Sequence, residues 1–351
     1  MRILSLTFVC ILTLTLVGCT RAIYTESTEN AGVAPHGLVI HGGAGGGSRA
    51  TISPELEAQM REASARALKA GFDVLDQGGS SLDAVAATIV VLEEAPVFNA
   101  GKGAVYNARG GHELDASIMD GFTLNAGAVA GVKQIRNPIL LARAVMDRSP
   151  HVLLSGEGAE HFAREHNLEF VSPSFFDTER RRKQLDERLL REQATLREPM
   201  SGRMDPSTSY FGTVGVVALD KQGRLAAGTS TGGMTAKRYG RVGDSPVIGA
   251  GTYANGECGV SSTGHGEFFI RHVVAYTICA RMAFQSVTLE QAANTVIMSE
   301  LVEVGGSGGV VAMDADGNIA WPFNSASMVR AHQSRDQPPR VLIFKDDSPT
   351  N

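Results

Sequence analysis

Apolar residues along this chain come as short β-branched runs closed by glycine and as longer runs at helical spacing. Leu38-Val39-Ile40 reads as a short strand entering a tight glycine loop, His41-Gly42-Gly43-Ala44-Gly45-Gly46-Gly47. Ser53-Pro54-Glu55 predicts a helix start, with a capping serine, proline at the first helical position and an acid in the first turn. That helix should stop at Gly78-Gly79. A second opens at Ser80-Ser81-Leu82-Asp83, and Leu82, Val85, Ala86, Ile89 and Val90 give it one apolar face for burial against a sheet. Strands are expected at 112–116 and 127–132, and helices at 137–146 and 157–166. Residues 214–220, a turn at Gly223 and residues 225–233 form a hairpin signature. Residues 309–320 partly echo it, and 268–282 read as an apolar helix. Asp314-Ala315-Asp316-Gly317-Asn318 resembles a calcium loop but lacks the spacing to a terminal Glu, so it reads as a turn.

Between these apolar stretches the character changes at 176–210. Glu179 to Glu192 is a charged helix with few apolar positions, read as a solvated face. Residues 198–212 are rich in Pro, Gly and Ser and read as a mobile linker. The N-terminus is different again. Met1-Arg2 precedes an apolar run, Ile3 to Val17, too short to span a membrane comfortably. It ends in Leu16-Val17-Gly18-Cys19, which resembles the lipobox of bacterial lipoproteins. The resemblance implies a signal peptide at 1–18, lipidation of Cys19, a tether at 19–36 and a mature chain anchored in the cell envelope and facing the periplasm.

The chain has 351 residues, 43% of them hydrophobic, with a formal net charge of -5. That is an ordinary globular composition with length for a large core or two smaller domains, and no basic stripe with aromatics points to nucleic acid. Of the 4 cysteines, Cys10 leaves with the signal and Cys19 is the lipidation site. Cys258 and Cys279 remain. They can pair in an oxidising compartment, or Cys279 can serve as a small core residue.

The chemistry centres on Tyr210-Phe211-Gly212-Thr213-Val214-Gly215. A threonine at the border of a polar tract and a strand becomes a nucleophile if the chain is cut before it. Its hydroxyl then attacks and its own α-amine is the base. That amine has a pKa of roughly 7.7–8.0, so a useful fraction is neutral near pH 7. Other candidates lie in loops. Asn99, beside Phe98 and small residues, offers a positioned amide. Arg241 and Asp244 can grip the carboxylate and ammonium of an amino acid. Thr263 and Gly264, ahead of a helix start, suit an oxyanion hole. His265-Gly266-Glu267 lacks the P-C-x-x-C of a zinc deaminase. Glu93-Glu94, at a helix end, reads as a solvated charge pair.

Six segments occur in one order: H-G-G-A-G, L-E-E-x-P-x-F-N-A-G, G-T-V-G-V-V-A-L-D, T-S-T-G-G-M-T, R-V-G-D-S-P and T-G-H-G-E. Together they closely resemble the isoaspartyl peptidase/L-asparaginase family, the plant-type asparaginases among N-terminal-nucleophile hydrolases, over about 36–331. The resemblance implies an α+β fold, a four-layer αββα sandwich over 37–331 with a tail at 332–351. It implies self-cleavage into an α chain ending at Gly212 and a β chain starting at Thr213, assembled as (αβ)2. It assigns Thr213 as nucleophile, Thr231 as its orienting partner, Thr263 and Gly264 to the oxyanion, and Asn99 to the nucleophile's surroundings. Arg241, Asp244 and Gly266, with Thr263 and Gly264, would bind substrate. Leu92, Glu93, Ala95, Phe98, Ala100 and Lys102 would offer backbone carbonyls to a structural sodium; no other cofactor is implied. The expected activity is hydrolysis of the β-amide of L-asparagine and of isoaspartyl peptides, releasing L-aspartate. The alternatives are a glycosylasparaginase-like amidase and an unprocessed amino-acid-binding lipoprotein. Gly212 and Gly233 depart from the Asp and Asn that the former carries there.

Overall fold

A computed structural model describes residues 35–45, 47–195 and 212–347 of the chain. In order, the elements are β1 (Gly37–Gly45), α1 (Pro54–Asp76), α2 (Ser81–Glu94), β2 (Leu114–Asp120), β3 (Ala126–Val132), α3 (Pro138–Arg148), β4 (Leu153–Ser155), α4 (Gly156–Glu165) and α5 (Glu179–Thr195). The second part holds β5 (Val214–Leu219), β6 (Leu225–Thr231), β7 (Thr252–Ala254), β8 (Cys258–Gly264), α6 (Gly266–His272), α7 (Val274–Gln285), α8 (Leu289–Asn294), β9 (Gly308–Asp314), β10 (Ile319–Ala320), β11 (Ser327–Ser334) and β12 (Arg340–Phe344).

Two sheets stack face to face. The larger has the order β12-β11-β1-β5-β6-β2-β3-β4, and the smaller β10-β9-β8-β7. Alternation along the strands decides which side chains meet between them. Val39, Val217, Leu219, Leu225 and Ala227 of the large sheet bury against Ala254, Val311 and Met313 of the small one. The opposite face of the large sheet, with Leu38, Ile40, Val214 and Val216, packs on Leu68, Leu75, Val85 and Ile89 of α1 and α2. The outer face of the small sheet, with Val260, Val310 and Ala312, packs on Ile278 of α7 and Ala292 of α8. The result is helix, sheet, sheet, helix, the αββα order expected.

Helix starts follow the local chemistry. Ser53 caps α1 by accepting from the Leu56 N–H, and Ser80 caps α2 by accepting from the Asp83 N–H. Five local expectations change. The glycines after Ile40 continue β1 instead of looping, with a bulge between His41 and Gly43. The expected apolar helix divides at Val273, whose φ of 47° separates α6 from α7. The segment read as a tail after Ala331 stays in the sheet, because β11 runs on and pairs with β12. His36, read as tether, is buried, and its carbonyl accepts from Arg335 N–H. The charged helix α5 is not simply solvated, since Leu185 and Arg181 are 2% and 3% exposed. Its Leu185 packs with Tyr106 and Ala236, and Arg182 lies over the Tyr106 ring at 4.1 Å. The signal peptide, Cys19 and most of the linker fall outside the described residues.

Candidate active site

Thr213 sits directly before β5, at the end of the large sheet that faces the small one. Its strand is central because β5 pairs with β1 on one side and β6 on the other. Val214 pairs with Ser230, which places Thr213 alongside Thr231, and their hydroxyl oxygens are 2.9 Å apart. Thr231 Oγ1 also accepts from the Gly233 N–H at 3.0 Å, so its orientation is set by the turn that follows it. Thr213 is 8% exposed. A hydroxyl there reacts with little competition from bulk water.

The carbonyl before Thr213 is also held. Asn99 N–H donates to Gly212 O at 2.9 Å. The Asn99 side chain is locked at both ends, with Nδ2 donating to Gly233 O at 2.7 Å and Oδ1 accepting from Val105 N–H at 2.9 Å. One residue therefore ties the Gly212 carbonyl to the turn that follows Thr231. The amide of Ala44 donates to Thr263 Oγ1 at 3.1 Å, linking the β1 bulge to the end of β8.

His41 reaches the same centre. Its Nδ1 lies 3.0 Å from Thr213 O, and its Nε2 lies 2.9 Å from Ser261 Oγ. A carbonyl only accepts, so Nδ1 carries the proton and Nε2 accepts from the serine hydroxyl. Complete burial lowers His41 to about 3, so the ring stays neutral. It fixes the Thr213 backbone and does not serve as a base. The fit demands glycine at 215, where an added Cβ would stand 1.9 Å from Ser261 Oγ and 2.3 Å from His41 Nε2.

The amino-acid grip is assembled from the 241–245 loop and the start of α6. A Cβ on Gly266 would lie 2.8 Å from both Arg241 Nη2 and Asp244 Oδ1, so the three positions converge. Asp244 is buried, its Oδ2 has no hydrogen-bond partner among the described residues, and burial raises its pKa to about 7. A buried carboxylate oxygen of this kind has the chemistry to accept from an ammonium group. Arg241 donates through Nε and Nη2 to the two oxygens of Glu267, both at 2.9 Å. His265 and Arg241 hold Glu267 well below the usual carboxylate range.

Two buried carboxylates escaped the sequence reading. Glu93 is 1% exposed, not solvated, and accepts from Ser230 Oγ at 2.6 Å, Asn137 Nδ2 at 3.1 Å and Ile139 N–H at 3.1 Å. Burial outweighs these donors and raises it to about 8. Glu94 is the solvated member, paired with Arg136 at 2.7 Å. Asp115 is the cross-strand partner of Thr231 and lies 3.9 Å from the buried Lys237 ammonium. Nothing in periodicity marks either residue, because both depend on strands and helices distant in sequence. His41 was hidden within an apparent loop.

In the loop from Leu92 to Lys102, carbonyls of Glu93, Pro96 and Phe98 crowd Gly101 and Gly103. A Cβ on Gly103 would meet Phe98 O at 2.0 Å and Pro96 O at 2.6 Å, and one on Gly101 would meet Glu93 O at 2.4 Å. The Lys102 side chain points elsewhere, 5.4 Å from the Phe175 ring centre. The donors are all oxygens, which fits a hard cation. Among the described residues no group of three or more His, Cys, Asp or Glu could hold a metal.

Residues 34–343 match the family described as Asparaginase. The chain belongs to the asparaginase family. It is 49% identical over 310 residues to an isoaspartyl peptidase of Salmonella typhimurium, covering 88% of this chain and 98% of that one. An isoaspartyl peptidase of Escherichia coli is 48% identical over 314 residues, covering 89% and 97%. An isoaspartyl peptidase/L-asparaginase of Xenopus laevis is 41% identical over 301 residues, covering 86% and 93%. The asparaginase match begins at residue 34, beyond the apolar run Ile3 to Val17.

Proposed function

We propose that the chain cuts itself between Gly212 and Thr213 and then hydrolyses the β-amide of L-asparagine and isoaspartyl peptides, releasing L-aspartate. The carrying observation is the Thr213–Thr231 hydroxyl pair at 2.9 Å beside a Gly212 carbonyl held by Asn99 N–H. Thr213 Oγ attacks the Gly212 carbonyl carbon, the C–N bond breaks, and the nitrogen takes the hydroxyl proton. Water cleaves the resulting ester, leaving a carboxylate on Gly212 and a free amine and hydroxyl on Thr213. In turnover that amine takes the hydroxyl proton, and Oγ attacks the side-chain carbonyl of the substrate. Thr263 and the Gly264 N–H receive the oxyanion. The leaving amine departs protonated, and water frees aspartate from the ester. Arg241 takes the α-carboxylate, exchanging it for Glu267, while Asp244 and the Gly266 carbonyl take the α-ammonium.

Intact mass and N-terminal sequencing test the cut. Unmodified protein should yield a fragment beginning at Thr213. Thr213→Ala should stay whole and release no aspartate; a cut, active Thr213→Ala protein sinks the reading.

Three further parts belong to this reading. A sodium held by carbonyls of Leu92, Glu93, Ala95, Phe98, Ala100 and Lys102 would stiffen the loop that carries Asn99. Exchanging sodium for a bulky organic cation should then slow turnover. Export with a lipid on Cys19 is supported by the Cys258–Cys279 disulfide, whose Cα atoms are 5.6 Å apart, since such bonds persist in oxidising compartments. No helix among the described residues is long and apolar enough to cross a membrane, so the tether would be the anchor. Membrane fractionation of Cys19→Ala against unmodified protein decides this. Self-association as (αβ)2 is supported by exposed Val273, Tyr276, Phe284 and Val302 on the helical layer of the small sheet. Light scattering gives the mass.

A further inference from the structure

We propose that Arg181 receives the carboxylate that self-cleavage creates at Gly212, forming an anion site that only processing completes. This rests on the reading of Gly212-Thr213 as the bond that is cut. Arg181 lies on α5 and is 3% exposed. Its Nε donates to Gly103 O at 2.7 Å and its Nη1 to Gln184 Oε1 at 2.9 Å. Its Nη2 donates to no described residue. A Cβ built on Gly212 would stand 3.7 Å from that Nη2, so the unused edge of the guanidinium faces the α-carbon of the scissile residue.

A buried guanidinium is ordinarily paired with a carboxylate, because an unpaired charge loses hydration without compensation. Among the described residues Arg181 has carbonyl and amide partners only. Its near charged neighbour is Arg180, another cation, which donates to Pro96 O at 3.0 Å and Val97 O at 2.8 Å. Burial and Arg180 together push the Arg181 guanidinium well down from its ordinary value. The precursor thus stores uncompensated positive charge at this point. The one anion that the chemistry makes beside it is the new α-carboxylate of Gly212.

The carboxylate has somewhere to go. A cavity of about 390 Å³ is lined by Gly43, Arg180, Arg181, Gln184 and Gly212, but not by Thr213, Thr231 or Thr263. Substrate must place its carbonyl where the Gly212 carbonyl sits in the precursor, so the cut end must withdraw. Turning Gly212 toward Arg181 clears Thr213 and forms a charge-assisted pair. The same pair disfavours resealing of the peptide bond. Arg181 is therefore a positioning residue for the product end of the α chain.

The test is a thermal-melt cycle. Arg181→Gln is made in the unmodified chain and in the uncleavable Thr213→Ala chain, with Arg181→Lys as the charge-keeping control. In the uncut background Arg181→Gln should leave Tm unchanged or raise it. In the processed enzyme it should lower Tm by at least about 3 °C, and Arg181→Lys should recover part of that loss. Equal shifts in both backgrounds overturn the proposal while leaving self-cleavage standing. An unmodified chain that never splits overturns both. A second measurement needs no variant to fold. Carboxypeptidase followed by intact mass should leave Gly212 on the α chain of processed unmodified enzyme, and its rapid removal overturns the proposal.

Discussion

His41, against Thr213, and Glu93, against Ser230, are both sealed from water, and burial drives their titrations in opposite directions. His41, lowered to about 3, contributes stability that is complete above the unfolded value near 6.5 and is lost as pH falls. Glu93, raised to about 8, keeps a proton that the unfolded chain gives up near 4.5. Its contribution is complete below that lower value and is lost as pH rises through about 8. Asp244, raised to about 7, acts in the same direction as Glu93. Glu93→Gln carries no charge at any pH, so it should lose less stability than unmodified protein across this window. The gap between the two should change by at most about 1.4 kcal/mol per pH unit. Urea unfolding at a series of pH values measures it, and parallel curves for the two proteins refute the assignment. Residue identity alone showed that Glu93 is an acid. Its isolation required Ser230, Asn137 and Ile139 to close around it.

At the scale of elements, the decisive piece is the bulge in β1. Gly43 has φ of 106°, and a Cβ there would lie 2.3 Å from the Gly212 α-carbon. Gly43→Ala therefore combines left-handed strain with a clash at the scissile residue, on the order of 1–3 kcal/mol for the backbone strain alone. It should persist as a single uncut band on denaturing electrophoresis while keeping the circular dichroism of the fold. Efficient cutting of that variant contradicts the close approach. The helix α5 makes a related point. Its sequence is mostly charged, and its few apolar positions gave no face to predict. Yet Arg180 and Arg181 take carbonyls of the loop that carries Asn99, and Arg238 bonds Glu192 at 2.9 Å. Charged side chains can bury when backbone carbonyls await them.

For the whole molecule, the proposed cut between Gly212 and Thr213 would leave two chains that share one sheet. β1 and β2 belong to the part before the cut, and β5 and β6 to the part after it. The ladders run from Gly37–Leu219 to His41–Gly215 and from Asp115–Thr231 to Asp120–Ala226. The two chains should therefore elute as one species in native gel filtration and separate only in denaturant. Separation under native conditions contradicts the shared sheet. The sequence by itself determined the helix starts and the hairpin around Gly223 and named Thr213, Thr231, Arg241, Asp244 and Thr263 as candidates, because caps, turns and reactive groups are local chemistry. It also carried the ordered segments of the asparaginase family. Only the tertiary structure decided that the glycines after Ile40 are strand, that residues beyond Ala331 close the sheet, that His41 and Arg181 are buried beside Thr213 and Gly212, and that Glu93 is buried against Ser230. Those outcomes depend on which distant segments remove water from each side chain, and desolvation is a property of the packed fold rather than of any stretch of chain.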